Sequence, residues 1–232
     1  MNTTNKTEII LGPDSKIIRR KVTEEEIILQ PDVLTSISGN VIRTVYNAFD
    51  FEGLPVRVCV GKYSSQFMVP VKELRLKAPF EAKEGGILHA TFSGKEPIFD
   101  MGWIVPDDMK LWFICTIQGT RLPQLVECHL LAFDLAARCF RLPLGNLFEG
   151  QANICMGEFD ANGSTCQEIL QKSWVQFNSS QWNGDLDSSA SWAASLFRFQ
   201  AKNDGFVQLA PEVAWTELAT KIAPPILNFI AI

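Results

Sequence analysis

Three apolar runs follow one another closely in the middle of the chain, and their spacing restricts the fold more than any other feature. The runs LWFICTIQG, LVECHLLAFD and ARCFRLPL occupy residues 111–119, 125–134 and 137–144, with short polar segments between them. Runs of this length, rich in β-branched and aromatic residues, are typical of strands. Tight connections favour antiparallel neighbours, so the sequence predicts an antiparallel meander. Pro143 ends the third strand because proline cannot donate to a ladder.

The first hundred residues also favour short strands, judged by alternation and β-branched content. The predicted strands lie at 7–11, 26–30, 41–49, 56–63 and 87–92. Residues 31–39 are interpreted instead as a turn or two of helix ended by Gly39, and residues 78–87 as a loop with a glycine pair. The chain is therefore expected to have a β-rich N-terminal part, 1–100, followed by a second unit, 101–232.

Helical periodicity begins after residue 163. Ser164 or Thr165 can cap a helix over residues 165–177, with Gln167 or Glu168 placed for a capping box. Two further helices are predicted at 187–200 and at 211–222, the second starting with proline in its first turn. Strands followed by helices predict an α+β fold, an antiparallel β-meander followed by helices.

Charge and composition exclude several classes of ligand. The chain has 21 Lys and Arg against 26 Asp and Glu, a net charge of −5, and no basic cluster interleaved with aromatics. Nucleic acid is therefore not an expected partner, and the densest basic run, 16–21, is interpreted as a solvated strand edge or turn.

The N-terminus lacks a signal-peptide pattern, which favours a cytoplasmic location. The apolar end, 222–232, is too short to span a membrane. It is expected to pack on the protein or to dock on a partner.

The six cysteines show neither a CxxC pair nor a neighbouring histidine at zinc-ligand spacing, so we expect no metal and no cofactor. Four of them lie in apolar alternating segments, where a reduced cysteine behaves as a small core side chain. They are Cys59, Cys115, Cys128 and Cys139.

Cys155 differs from these because it lies in a glycine-rich loop, LPLGNLFEGQANICMG, residues 142–157. A thiol on such a loop can be exposed, and Asn146 offers an amide donor for the oxyanion that forms when a thioester is attacked. Thioester exchange needs no base in the loop, whereas a cysteine protease needs a histidine. His129 lies in an alternating strand and is interpreted as a strand residue. Burial of Cys155 as a core side chain, and Cys166 as a rival acceptor or resolving thiol, remain alternatives.

The loop also resembles a known family. Residues 142–148 and 154–157, with Asn146, an apolar and an aromatic residue, then Ile-Cys-Met, resemble the ubiquitin-conjugating-enzyme-like superfamily, and most closely its prokaryotic branch, PRTRC system protein B. The resemblance implies a ubiquitin-conjugating-like α+β domain over 101–232. It further implies that Cys155 carries a ubiquitin-like protein as a thioester and that Asn146 supports transfer to an amine. A ubiquitin-like protein and an adenylating enzyme are the partners that follow.

The alternative is a noncatalytic interaction or scaffold subunit of a plasmid- or phage-encoded system with the same fold. It would bind partners through its apolar tail or through an aromatic-rich stretch, Trp174, Phe177, Trp182 and Trp192. Core packing is the other role open to these aromatics. An accessible sulfur near the Asn146 amide favours the enzyme, and a sealed sulfur favours the scaffold. The sequence leaves the oligomeric state open.

Overall fold

The computed structural model of the protein describes residues 6–11, 17–22, 33–38, 41–51, 54–60, 64–92, 95–118, 123–148, 152–159, 161–163, 165–184, 186 and 195–223. Up to residue 55, and at residue 60, this description covers the backbone alone. Strands make up most of it. In chain order they are β1 Lys6–Leu11, β2 Ile17–Val22, β3 Val33–Ser38, β4 Val41–Phe51, β5 Leu54–Val60, β6 Ser64–Val71, β7 Glu73–Lys83, β8 Ile87–Ala90, β9 Ile98–Ile104, β10 Lys110–Gln118, β11 Gln124–Phe133, β12 Cys139–Arg141, β13 Arg198–Lys202, β14 Gly205–Gln208 and β15 Thr220–Lys221; the helices are α1 Cys166–Ser179 and α2 Trp215–Leu218.

The larger sheet has eight antiparallel strands in the order β15-β12-β11-β10-β6-β5-β4-β3. Its centre contains the predicted meander, because β10, β11 and β12 pair in sequence order. The third strand is shorter than predicted. β12 stops at Arg141 and covers only the end of β11, which leaves the first part of β11 without a long partner strand on that side.

The smaller sheet has five strands in the order β14-β13-β8-β7-β9 and curls until its two edge strands meet. The side chain of Gln208, at the end of β14, closes the gap. Its amide nitrogen donates to the Ile104 carbonyl at 3.1 Å, and its amide oxygen accepts the Ile104 N–H at 2.8 Å. The rings of Phe99 and Phe206 meet edge-on across the same join, with centroids 5.7 Å apart.

The main core lies between the two sheets and beneath α1. The helix begins where the Thr165 hydroxyl accepts the Glu168 N–H at 3.1 Å, one of the predicted caps. Its buried face, which repeats at three and four residues, contains Trp174 and Phe177, whose ring centroids lie 5.1 and 5.9 Å from that of Phe113 in β10. Burial of each such side chain contributes about 1.5–3 kcal/mol to stability. The helix is thereby fixed against the centre of the larger sheet.

The predicted α+β, ubiquitin-conjugating-like fold is wrong. Within the described residues the protein is mostly β, and α1 is the one helix longer than a single turn. The helix predicted over 187–200 ends in a strand instead, because β13 pairs with β8, and Phe199 packs edge-on against Phe80 with ring centroids 5.7 Å apart. Residues 187–194 lie outside the described residues. Of the helix predicted over 211–222, only α2 forms.

Predictions for the first hundred residues fare unevenly. Strands form at four of the five predicted places, and 26–30 lies outside the described residues. The helix predicted at 31–39 is wrong, because β3 pairs with β4. The loop predicted at 78–87 is largely strand β7, and only residues 84–86 turn, with Gly85 at φ 75°. The sequence patterns also failed to predict β6, which contains Pro70. That proline is tolerated because β5 pairs with β6 only as far as Met68.

Strand pairing continues across the boundary predicted at residue 100. β6 pairs with β10, and β7 pairs with the whole length of β9. The division into a 1–100 part and a 101–232 domain stays a prediction. At the other end, the Ile222 N–H donates to the Cys139 carbonyl at 3.0 Å, and residues 224–232 of the apolar tail lie outside the described residues. No helix in the described part of the chain is long and apolar enough to cross a bilayer.

Candidate functional site

The glycine-rich loop folds back on itself as a short antiparallel pair. Leu147 and Ile154 form a bridge, the Phe148 N–H donates to the Asn153 carbonyl, and the Cys155 N–H donates to the Asn146 carbonyl, the last two both at 2.8 Å. Leu147 and Ile154 are buried in the main core and anchor the pair. Cys155 and Asn146, nine positions apart in sequence, therefore become neighbours.

The returning half of the loop also bonds to the open part of β11. The Ile154 N–H donates to the Cys128 carbonyl at 2.8 Å, and the Leu130 N–H donates to the Ala152 carbonyl at 3.1 Å. Residues 152–154 thus act as the partner that β12 is too short to provide. A rigid sheet consequently fixes the segment that leads to Cys155.

Asn146 occupies a strained position and makes several hydrogen bonds to the segment after α1. Its φ is 62°, in the left-handed region that asparagine tolerates better than most residues. Its amide nitrogen donates to the Gln181 carbonyl at 3.0 Å, while its amide oxygen accepts the Asn183 N–H and its backbone N–H donates to the Asn183 carbonyl, both at 3.2 Å. The side chain is mostly buried. Asn146 thus ties the loop to the segment that follows α1.

Cys155 and Asn146 both line one groove of about 360 Å³. Cys155 is half-buried and is not part of either apolar core cluster. The remaining lining comes from the next two loop residues, from the last turn of α1 and from the segment after it: Met156, Gly157, Gln176, Ser180, Gln181, Asn183 and Leu186. The structure therefore brings the two predicted site residues together at an opening to solvent.

Sequence reasoning missed the polar wall of this groove. Gln176 and Ser180 belong to the end of α1, and Gln181 and Asn183 follow it. The signal was the asparagine-, serine- and glutamine-rich stretch 178–183 among aromatics. The sequence predicts a partner-binding face or core packing for the aromatics around it and assigns no role to its polar residues. Two of its aromatic neighbours, Phe177 and Trp182, are core residues with stacked rings 5.5 Å apart; Trp192 lies outside the described residues.

The glycine that precedes Asn146 has a packing role. A β-carbon on Gly145 would overlap the Asn183 carbonyl oxygen and would lie 3.1 Å from the Trp182 β-carbon. The glycine-rich pattern is typical of an open loop, whereas at Gly145 the structure shows close approach of two backbones. Gly157, at φ 61° with no atom within 4 Å of its notional β-carbon, fits the open interpretation.

Four of the other five cysteines are more buried than Cys155, and Cys166 is half-buried like it. Cys59, Cys115, Cys128 and Cys139 are buried, as expected for core side chains. Burial raises the pKa of the Cys139 thiol to about 12, and it also raises the pKa of Cys166, the rival acceptor at the start of α1. Both thiols are therefore held in the protonated, weakly nucleophilic form near neutral pH.

His129 is a buried strand residue on the face of β11 that also presents Glu127. Its Nε2 lies 3.3 Å from the Glu127 carboxylate, which accepts the Asn153 amide at 3.1 Å on its other oxygen. This matches the interpretation of a satisfied strand histidine. In the described part of the chain, no group of three or more His, Cys, Asp or Glu side chains could hold a metal ion.

A second, larger groove of about 790 Å³ lies beside the first, and Met156 lines both. It runs between the open part of β11 and Met156, Phe159, Ala161 and Asn162. Half-exposed Phe148 and Val126 line its walls, and Glu127 is its single charged residue. Apolar residues thus outnumber polar ones in its lining, although polar groups share its surface.

Comparisons with protein-family models, with curated proteins and with solved structures find no significant match. The relationship to the ubiquitin-conjugating-enzyme-like superfamily, and to PRTRC system protein B, therefore rests on residues 142–157 and stays a prediction.

Proposed function

We propose that Cys155 carries an acyl group, the C-terminal carboxyl of a small ubiquitin-like protein, as a thioester and passes it to an amine. The observation that supports this proposal is the shared groove: the half-buried Cys155 and the Asn146 side chain line the same opening. A nucleophilic thiol must be reachable, and loops held by a rigid sheet provide such access.

The lining of the groove fits an uncharged chain. None of its residues carries a formal charge, and besides Asn146 four present amides or a hydroxyl: Gln176, Ser180, Gln181 and Asn183. Such groups can bond to the N–H and C=O groups of an extended peptide without requiring a charged partner. The C-terminal segment of a small protein is a ligand of this kind.

The chemistry consists of two acyl transfers. The Cys155 thiolate attacks the activated carbonyl, a C–S bond forms, and the bond to the previous carrier breaks. An amine then attacks the thioester, the C–S bond breaks, thiolate leaves, and the amine releases its proton to solvent. A free carboxylate does not react in this way, so an adenylating enzyme that consumes ATP is the partner that must act first.

Asn146 is the residue that we propose supports the second step. One N–H of its amide group bonds to Gln181. The amide has a second N–H, which is the donor that an oxyanion formed at Cys155 would use. Because three hydrogen bonds to the segment after α1 hold the residue, this donor is fixed before the reaction. Preorganised donors contribute most to such stabilisation.

The proposal includes a cytoplasmic location. All six cysteines are free thiols in the structure. A reducing compartment keeps thiols in this state, which a thioester carrier requires.

A chemically activated peptide provides the test without a dedicated activating enzyme. The protein is mixed with a glycine-ending peptide thioester of mercaptoethanesulfonate, and the adduct is located by mass spectrometry. We expect an adduct on Cys155 that excess thiol removes, and Cys155→Ser should abolish it or convert it to a thiol-stable ester. Cys166→Ser is the matched control and should leave the adduct unchanged. An equal yield from Cys155→Ala would refute the proposal.

The larger groove favours a second candidate function, a noncatalytic interaction subunit. Half-exposed Phe148 and Val126 on an open sheet edge are the kind of surface that partners cover. Asn146, with three hydrogen bonds to the segment after α1, would then be purely structural. Under this alternative the peptide thioester leaves no stable adduct at Cys155, and Phe148→Ser with Val126→Ser changes complex formation in the native host while Cys155→Ala does not.

A further inference from the structure

Two buried cysteines face each other across the centre of the larger sheet. Cys115 in β10 and Cys128 in β11 are direct partners in the strand register, and their sulfur atoms lie 3.0 Å apart. They are separated by 13 positions in sequence. Neither belongs to the groove that holds Cys155.

The hydrogen bonding around Cys128 shows which kind of cross-strand pair this is. The Cys128 carbonyl accepts from Ile154 and the Leu130 N–H donates to Ala152, so the backbone groups of both strand residues point toward the loop and away from β10. Cys128 and Cys115 are therefore a non-hydrogen-bonded pair. In such pairs the Cα atoms lie about 4.5 Å apart, inside the range of roughly 4.4–6.8 Å that a disulfide spans.

The two sulfurs differ in their surroundings. Cys115 lies in β10 beneath α1, and burial raises the pKa of its thiol well above the usual range. Cys128 is buried too, but it forms part of the wall of the 790 Å³ groove. Of the two residues, Cys128 is the one that borders a groove, so we assign it as the thiol that a small oxidant attacks first, with Cys115 as the partner that closes the bond.

We propose that Cys115 and Cys128 are an oxidation site, at which a small peroxide converts the thiol pair to a cross-strand disulfide joining β10 and β11. The Cys128 sulfur attacks one peroxide oxygen, the O–O bond breaks, and a sulfenic acid and one water form. The Cys115 sulfur then attacks the sulfenic sulfur, the S–S bond forms, the S–O bond breaks, and the hydroxyl leaves as a second water with the Cys115 thiol proton. The peroxide is reduced and the two cysteines are oxidised.

The expected consequence is a more stable oxidised form. The crosslink closes a short loop between neighbouring strands and restricts the unfolded chain. For a protein of this size we expect the melting temperature to rise by roughly 5–10 °C on oxidation. Because the pair lies at the join between the sheet and α1, its oxidation does not depend on the function proposed for Cys155.

Peptide mapping tests the site directly. The reduced full-length protein is treated with hydrogen peroxide under native conditions, free thiols are alkylated after unfolding, and the protein is digested with trypsin. Cleavage after Lys110, Arg121 and Arg138 places Cys115 alone in peptide 111–121 and Cys128 alone in peptide 122–138. We expect these two peptides to appear joined, lighter by two hydrogens than their sum, and separated again by dithiothreitol.

Cysteine variants and the melting temperature of the linked protein complete the test. Cys139→Ala and Cys59→Ala are matched buried controls and should keep the joined peptides, whereas Cys128→Ala should lose them. The peptide map of the wild-type protein tests the proposal even if Cys128→Ala does not fold. Recovery of both peptides as singly alkylated species after peroxide treatment, or a link that forms only in unfolded protein, would overturn the proposal. So would an unchanged or lower melting temperature of the linked species.

Discussion

The Cys155 N–H donates to the Asn146 carbonyl at 2.8 Å, so these two residues are opposite members of one short antiparallel pair. The bond uses the backbone and leaves both side chains to the groove that they share. Any change that disturbs the position of Asn146 will therefore move Cys155 as well. Asn146 should consequently contribute both to stability and to the geometry of the site.

Replacing Asn146 separates these contributions. Asn146→Ala leaves the Gln181 carbonyl and the Asn183 N–H without their partner and places alanine at φ 62°, so we expect a loss of about 2–4 kcal/mol in the free energy of unfolding. Asn146→Gly loses the same bonds but tolerates the backbone angle and should cost about 1 kcal/mol less. Urea unfolding of both variants measures the difference. Equal losses would contradict the strain at this position.

Gly145 should tolerate no side chain. Gly145→Ala forces the new methyl group against the Asn183 carbonyl and the Trp182 β-carbon, and we expect a loss of about 1–3 kcal/mol in stability. Gly157→Ala is the matched control, because it has a positive φ but open space and should cost only about 1 kcal/mol. Thermal melts of the two variants make the comparison. A larger loss of stability in Gly157→Ala than in Gly145→Ala would contradict the close packing at Gly145.

Asp134 should make stability depend on acid pH. Burial acts to raise its pKa, but the Arg138 N–H at 2.8 Å and the Arg138 guanidinium outweigh it and lower the pKa overall. A carboxyl with a lowered folded-state pKa stabilises the fold above its unfolded value, about 3.9, and that contribution is lost as the pH falls through the folded-state pKa. Asp134→Asn should therefore melt below the wild type at pH 7, and the gap should narrow below about pH 4.

The control for this prediction is Asp100→Asn, which breaks an ion pair with Arg75 in which both side chains are about half exposed. Exposed pairs contribute about 0–1 kcal/mol, so its melting temperature should change little at any pH. A gap for Asp134→Asn that stays constant from pH 7 to pH 3 would contradict the account.

Gln208 should hold the edges of the smaller sheet together. Its amide makes two hydrogen bonds to the backbone of Ile104, one in each direction, as a strand residue would. Gln208→Ala should cost about 1–2 kcal/mol, and amide exchange at Ile104 should accelerate. Gln200→Ala, on the neighbouring strand β13, is the matched control and should leave Ile104 protected. Unchanged exchange at Ile104 in Gln208→Ala would mean that the join closes without this side chain.

Periodicity predicted the parts of the fold that local pattern determines. The meander β10 to β12 and the helix α1 have strong apolar repeats, and α1 also has a capping threonine in place. The pattern failed where pairing partners are distant in sequence. Phe199 lies at the end of a stretch whose apolar repeat predicts a helix. Its strand nevertheless completes a sheet by pairing with β8, more than a hundred positions earlier. Tertiary pairing overrides local propensity at such places.

The candidate site was predictable in part for the same reason. Asn146 and Cys155 lie close in sequence within one loop, so the glycine-rich pattern and the resemblance it carries could place both. The opposite wall, from Gln176 to Asn183, reaches the groove only because α1 packs on Phe113. No local pattern identifies that contact. The role of Gly145 was also hidden, since it depends on the backbone of Asn183.

The central claim is that Cys155 presents a reactive sulfur at the shared groove, and site-resolved alkylation tests it most directly. The native protein is exposed to limiting iodoacetamide, unfolded, labelled at its remaining thiols with an isotopic reagent, and digested with trypsin and with a protease that cleaves after Glu158 to separate Cys155 from Cys166. We expect Cys155 to react fastest of the six cysteines, ahead of half-buried Cys166 and far ahead of Cys139. A Cys155 that reacts as slowly as Cys139 would contradict the account.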